Sequence, residues 1–263
     1  RVAEVCSTPT IRSARSKSIG TRQFPIFATL LMTGMRPGEL THLLLPDDLD
    51  LEEGWLFVRN KPALGWKVKT RSERSIPLLP PLVAVLRCCV GDRRGGPVFR
   101  QRRCGEDHAP PLKGHTPAQL DREMAHRLGQ VENPADRKTA AAVAKTIWRD
   151  LGALKDDWIR REFMRLTDQI GLSGLTAPKT LRHTFATSLQ DADVDPLVRN
   201  ELMGHSPGCV TPGGRSLGMT AVYTHTRPAT KRRQLAQALA ARPAMELAEQ
   251  WAGRDSLDKP LDA

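Results

Sequence analysis

The sequence predicts an α+β fold that is mainly α-helical, with a small three-stranded antiparallel sheet. Three observations carry this. Long segments repeat apolar residues at three and four spacing, the signature of amphipathic helices. One stretch, residues 54 to 78, alternates apolar and polar residues between turn residues, as consecutive strands do. The length of 263 residues, with 40% apolar and 26% charged residues, suits a globular chain with one large domain or two small ones.

The elements follow in order. Residues 1–20 are polar and basic and read as a linker. "TRQFPIFATLLMTGMRPGELTHLLLPDDLD" reads as two helices, the first over about 22–33 and the second, "PGELTHLLL", led by Pro37 after a turn at Gly34. "GWLFVRN", "GWKVKT" and "RSIPLL" read as three strands of a meander. The acidic run "DDLDLEEG" reads as a solvated turn rather than a metal-binding cluster. Residues 91–116 are rich in Gly, Pro, Arg and His and read as loop, and two or three amphipathic helices follow over 117–170, with Gly171 as a stop. "TAPKTLRHTFATSLQDAD" reads as a helix with Thr176 as its cap, and "DPLVRNELMGH" as another led by proline. The tail from 228 reads as a basic helix, then an alanine-rich one.

Charge narrows the partner. Forty Lys and Arg against 29 Asp and Glu leave +11, which favours a polyanion. The longest apolar stretch, "FPIFATLLMTGM", is too short to span a bilayer, and no segment has the pattern of a signal peptide. Nucleic acid is therefore expected over membrane. RNA is disfavoured, because 5% aromatics offer few stacking platforms. The five cysteines, at 6, 88, 89, 104 and 209, form neither a disulfide framework nor a Cys-x-x-Cys zinc pair. Cys104 with His108 and His115 makes only a partial metal cluster, so no metal and no cofactor is expected.

Basic and nucleophilic residues recur in five boxes: Arg36 in "TGMRPGEL", Lys69 in "KVKTRSERSIPL", Lys179 and Arg182 in "PKTLRHTFAT", His205 in "LMGHS", and Tyr223, the single tyrosine, in "MTAVYTHT". In this order and with these flanks the chain resembles the catalytic domain of the tyrosine recombinases, the phage integrase family, over roughly residues 22–235. "TGMRPGEL" is similar to the first arginine box, where Glu39 supports the arginine. "KTRSERSIPL" is similar to the lysine-bearing strand, "KTLRHTFAT" to the second arginine box, "LMGHS" to the Gly-His box and "YTH" to the nucleophile box. The 23 positions between Arg182 and His205 match the usual gap.

The resemblance implies an integrase-like DNA breaking-rejoining fold and a site-specific recombinase acting on double-stranded DNA through a 3′-phosphotyrosyl intermediate, without metal or ATP. It makes Tyr223 the nucleophile, Arg36 and Arg182 the phosphate clamp, His205 a further donor and Lys69 the general acid, with Lys67 and Arg71 as rival candidates for that place. The chemistry suits these residue types. A phenol with a pKa of about 10 needs a cationic site to ionise, and guanidinium forks stay charged while gripping two oxygens. His183 is assigned a supporting role, and Lys67, Arg71, Arg227 and Lys231 are assigned to DNA contact.

The resemblance further implies a homotetramer on DNA, weakly associated or monomeric alone; the C-terminal helix, residues 236–263, either docks on a neighbouring protomer or packs on its own domain. The expected location is cytoplasmic, at the bacterial nucleoid. The chain departs from the pattern in four places. Lys179 stands where many members have His, the gap of 18 positions from His205 to Tyr223 is long, and residues 100–150 look like an insertion. Almost nothing precedes the catalytic region, so the N-terminal helical domain of the family is expected to be absent, or carried on a longer chain. Two alternatives stay open: a catalytically impaired DNA-binding module, and a type IB topoisomerase-like enzyme.

Overall fold

Short connections and proline-led helix starts set the architecture. The computed structural model describes residues 14–70, 72–101, 109–205 and 226–255. Within these, ten α-helices surround two small antiparallel sheets, the mainly helical α+β arrangement that the patterning predicts. The first helix, α1 (Ala14–Thr33), starts well before the predicted residue 22. The second, α2 (Pro37–Thr41), is a single turn rather than nine residues, because the chain turns at His42 into β1 (Leu44–Leu45).

The predicted three-stranded meander exists, with one member exchanged. β2 (Leu49–Asp50), β3 (Trp55–Val58) and β4 (Arg74–Pro77) pair in sequence order. "GWKVKT" is not a strand. A 3-10 turn at Pro62–Leu64 precedes it, and Lys61 and Trp66 pair only as an isolated bridge. The missing strand comes from the acidic run, whose residues 51–54 form the expected turn, with Glu52 and Glu53 exposed, while its first half is strand and core. Asp48 is buried, accepts the Leu44 N–H at 2.8 Å and pairs with Lys61 Nζ at 2.7 Å. A buried carboxylate needs both.

Helix α3 (Pro80–Val90) leads to β5 (Gly96–Pro97), which pairs with β1. Three amphipathic helices follow: α4 (Pro117–Leu128), α5 (Arg137–Asp150) and α6 (Asp156–Gln169). α7 (Lys179–Asp191) takes Pro178, not Thr176, as the residue before its first turn. α8 (Pro196–Met203) is capped by the Asp195 carboxylate, which accepts the N–H of Leu197 at 2.7 Å, and it ends at Gly204 in the left-handed conformation. α9 (Pro228–Leu239) and α10 (Pro243–Asp255) complete the described chain.

One large core joins α1, the three-stranded sheet, α3, α7, α8 and the tail helices. A second, smaller core holds the α4–α5 hairpin to Leu44 and Leu64. The tail helix α10 packs on α1 and α3 of its own chain, with Trp251 stacked on Phe24 at 5.5 Å between ring centroids. Of the two expectations for the tail, packing on its own domain is the arrangement this chain adopts.

Candidate active site

Arg36 sits just before α2, and the shape of that turn follows from its sequence. Pro37 fills the first helical position, and Glu39 reaches back to accept the Arg36 N–H at 2.9 Å, closing one half of a capping box. The same carboxylate pairs with Arg36 Nη1 at 3.0 Å, so the side chain leaves the turn in a set direction.

A second arginine shares this carboxylate. Arg74 on β4 donates to Glu39 through both terminal nitrogens, at 3.2 and 2.6 Å, and through Nε to the Leu202 carbonyl at 3.0 Å. Arg74 and Glu39 are both buried. Burial alone raises the Glu39 carboxyl, but the Arg74 and Arg36 guanidiniums more than offset it and hold the group below the usual carboxylate range. Sequence reasoning missed Arg74. The signal was present in the strand period, since Arg74 and Ile76 lie two apart and share the inward face of β4.

Arg182 is buried on α7, held by two backbone carbonyls. Nη1 donates to Gly34 O at 2.6 Å, and Nη2 donates to Met203 O. It thus ties the α1–α2 turn to the end of α8. Gly34 is required there, because it has φ +63° and a Cβ would fall 2.2 Å from the Phe185 ring one turn along α7. Burial, then the charge on Arg36, lowers the Arg182 pKa to about 10, which leaves it cationic at neutral pH.

His205 follows Gly204, whose φ is +63° and where an added Cβ would fall 2.8 Å from Arg74 Nη1, so its absence makes room for that guanidinium. Its own N–H is fixed on the Asn200 carbonyl at 2.9 Å. Burial pushes the imidazole pKa down, and Arg182, Arg36, Arg74 and Arg199 push it further. The ring is therefore neutral at pH 7, with one nitrogen to donate and one to accept.

Arg36, Arg182 and His205 thus come together, with Glu39 as the expected support of Arg36. Two guanidiniums pair with the Glu39 carboxylate and the charge of a third, Arg182, reaches it, so the surplus is positive. Lys179, at the start of α7, and His183 beside Arg182 are exposed. Lys67 and Lys69 are exposed in the connection between β3 and β4. Arg227 is exposed ahead of α9, whereas Lys231 is not a free surface charge: it is buried and pairs with Glu201 Oε2 at 2.9 Å, because it lies on the packed face of α9. Glu201 also accepts the Thr226 N–H at 3.2 Å. Tyr223 and Arg71 lie outside the described residues. So do Cys104 and His108, and among the described residues no group of three His, Cys, Asp or Glu side chains converges on a metal position. No helix among them is long and apolar enough to cross a membrane.

The phage integrase family model matches residues 5–230. The chain belongs to the phage integrase family. Among its relatives, a tyrosine recombinase of Agathobacter rectalis is 36% identical over 72 residues, covering 27% of this chain and 21% of the relative. The tyrosine recombinase XerA of Pyrococcus furiosus is 26% identical over 219 residues, covering 81% of this chain and 55% of XerA. A crystal structure of XerA recombinase is 20% identical with a TM-score of 0.46, covering 92% of this chain and 62% of that one. The chain thus spans about half or less of the length of the curated relatives it matches.

Proposed function

We infer that this chain is the catalytic region of a site-specific DNA recombinase, which cuts and rejoins strands through Tyr223 without metal or ATP. The observation that carries this reading is the surplus of guanidinium charge around Glu39, with neutral His205 beside it, in a chain of this family. A cluster of that kind seeks an anion of high charge density, and a phosphodiester is one.

In the proposed reaction the Tyr223 Oη attacks phosphorus and the bond to the 5′ oxygen breaks. A 3′-phosphotyrosine forms, and the 5′ oxygen leaves as a hydroxyl after taking a proton from the Lys69 ammonium. Arg36 and Arg182 bind the non-bridging oxygens and stabilise the charge that builds there, an effect on the order of several kcal/mol. The phenol proton needs an acceptor, and neutral His205 has a free-base nitrogen suited to it. Because the phosphoester energy is kept in the tyrosyl bond, the 5′ hydroxyl can reverse the step with no other input.

Lys179 is a phosphate contact in this reading, with Lys67, Arg71 and Arg227 on the DNA backbone and His183 at the rim. Lys231, paired with Glu201, instead holds α9 to α8. The functional unit is a homotetramer on DNA. The test is a denaturing gel of protein incubated with nicked duplexes in the presence of EDTA and without ATP. A covalent adduct is expected. Retention of duplex with no adduct, or an adduct that forms only when metal is added, overturns the reading.

A further inference from the structure

The α4–α5 hairpin lies in the segment that looked like an insertion, and it grips the base of the loop that carries Lys69. Leu64 is buried in the hairpin's own core. The Trp148 indole on α5 donates its N–H to the Leu64 carbonyl at 3.0 Å. Gly65 has φ +67°, and an added Cβ would lie 2.9 Å from the Ala144 methyl of α5, so only glycine lets the two backbones approach this closely. Three residues on, Val68 is buried in the main core, and its N–H is held by the Asn60 side chain at 2.8 Å. Lys69 is the first exposed residue after these anchors.

The same contacts reach Arg36. His42 follows α2 directly, and its ring stacks on Trp66 at 4.8 Å and meets the Trp148 ring edge-on at 4.6 Å. Its Nδ1–H donates to the Gly38 carbonyl inside α2 at 2.6 Å. Thr41, the last residue of α2, donates to Asp156 at the start of α6 at 3.0 Å. One aromatic seam, Trp66–His42–Trp148, thus joins the Lys69 loop, the Arg36 turn and the hairpin.

We propose that the α4–α5 hairpin is a positioning device for the reaction. Through Trp148 and Gly65 it fixes the Lys69 segment relative to Arg36, so that proton donor and phosphate clamp are held at a set separation before DNA binds. This rests on the reading of Lys69 as general acid. Positioning matters because a displacement of about 1 Å can cost on the order of a hundredfold in rate.

The test uses Trp148→Phe, which removes the indole N–H but keeps a ring against His42, and Gly65→Ala, which forces a methyl against Ala144. Trp148→Phe carries the test if Gly65→Ala fails to fold. The first readout is limited trypsin digestion mapped by mass spectrometry. Cuts after Lys67 and Lys69 are expected to accelerate about tenfold relative to cuts after exposed Arg160 on α6, as local opening becomes cheaper. The second is single-turnover cleavage of duplexes recovered from a random-sequence pool by covalent capture on the unaltered protein. These are made with either oxygen or sulfur at the 5′ bridging position. A thiolate leaves without a proton donor, so the variants are expected to be about tenfold slow on oxygen and normal on sulfur.

Unchanged cuts at Lys67 and Lys69, or an equal loss on both duplexes, overturns the proposal. If the unaltered protein captures no duplex at all, the recombinase reading fails. The trypsin arm then still decides whether the hairpin holds the segment.

Discussion

Glu39 is the residue on which the site's geometry turns, because it is shared by Arg36 and Arg74 while buried. Removing its charge leaves Arg74 buried without a counter-ion, a loss of about 3–5 kcal/mol for pairs of this kind. Glu39→Gln is expected to lower stability by about that order in denaturant unfolding and to weaken phosphate binding. The pH dependence has a definite sign. The folded Glu39 pKa lies below its ordinary value, so the contribution is complete above pH 4.5 and is lost as pH falls through the folded value. Acid should therefore destabilise the unaltered protein over that window, and the Gln variant less.

His205 supplies a second expectation at this scale. Its pKa should lie below 6.5 in the free protein, because burial and four arginines disfavour the imidazolium. An anion that neutralises those arginines removes part of the penalty. Titration by NMR is expected to show the pKa rising when inorganic phosphate or duplex DNA is added; an unchanged or falling value would place the anion elsewhere. The arginine boxes were legible because each has distinctive flanks. Arg74 was not, because a charge near a strand reads as an exposed edge until pairing with Val58 sets its inward register. Lys231 was misread for a similar reason, since its partner Glu201 lies 30 positions away and only packing brings them together.

Among the elements, the helices were the most legible and the short strands the least. Long amphipathic stretches such as α5 and α6 report their own period. β2 has two residues and hides inside an acidic run, so only its pairing with β3 reveals it. The α4–α5 hairpin was seen as extra length with no purpose, because its grip on Leu64 and Gly65 is a tertiary contact that no local pattern encodes. The tail helix raises a prediction of its own. Trp251 of α10 is buried against Phe24 of α1. Trp251→Ala is expected to destabilise the isolated chain by about 3 kcal/mol, as large aromatic deletions in a core do. A loss that appears only at concentrations where copies associate would instead mean that α10 docks between protomers in solution.

At the scale of the whole molecule, an excess of +11 and a converging guanidinium cluster both support the proposed partner, a polyphosphate backbone. The large core brings α1, β4, α7 and α8 together, and those four elements carry or anchor Arg36, Arg74, Arg182 and His205. In the proposed reaction this site makes a covalent bond to DNA through the single tyrosine. It is tested most directly by capturing nicked duplexes from a random-sequence pool, digesting the captured protein and identifying the modified peptide by mass spectrometry. Expected are a 3′-phosphonucleotide on Tyr223, a free 5′ hydroxyl on the released strand, and no captured species with Tyr223→Phe. An adduct on any other residue, or one that persists in Tyr223→Phe, would contradict it.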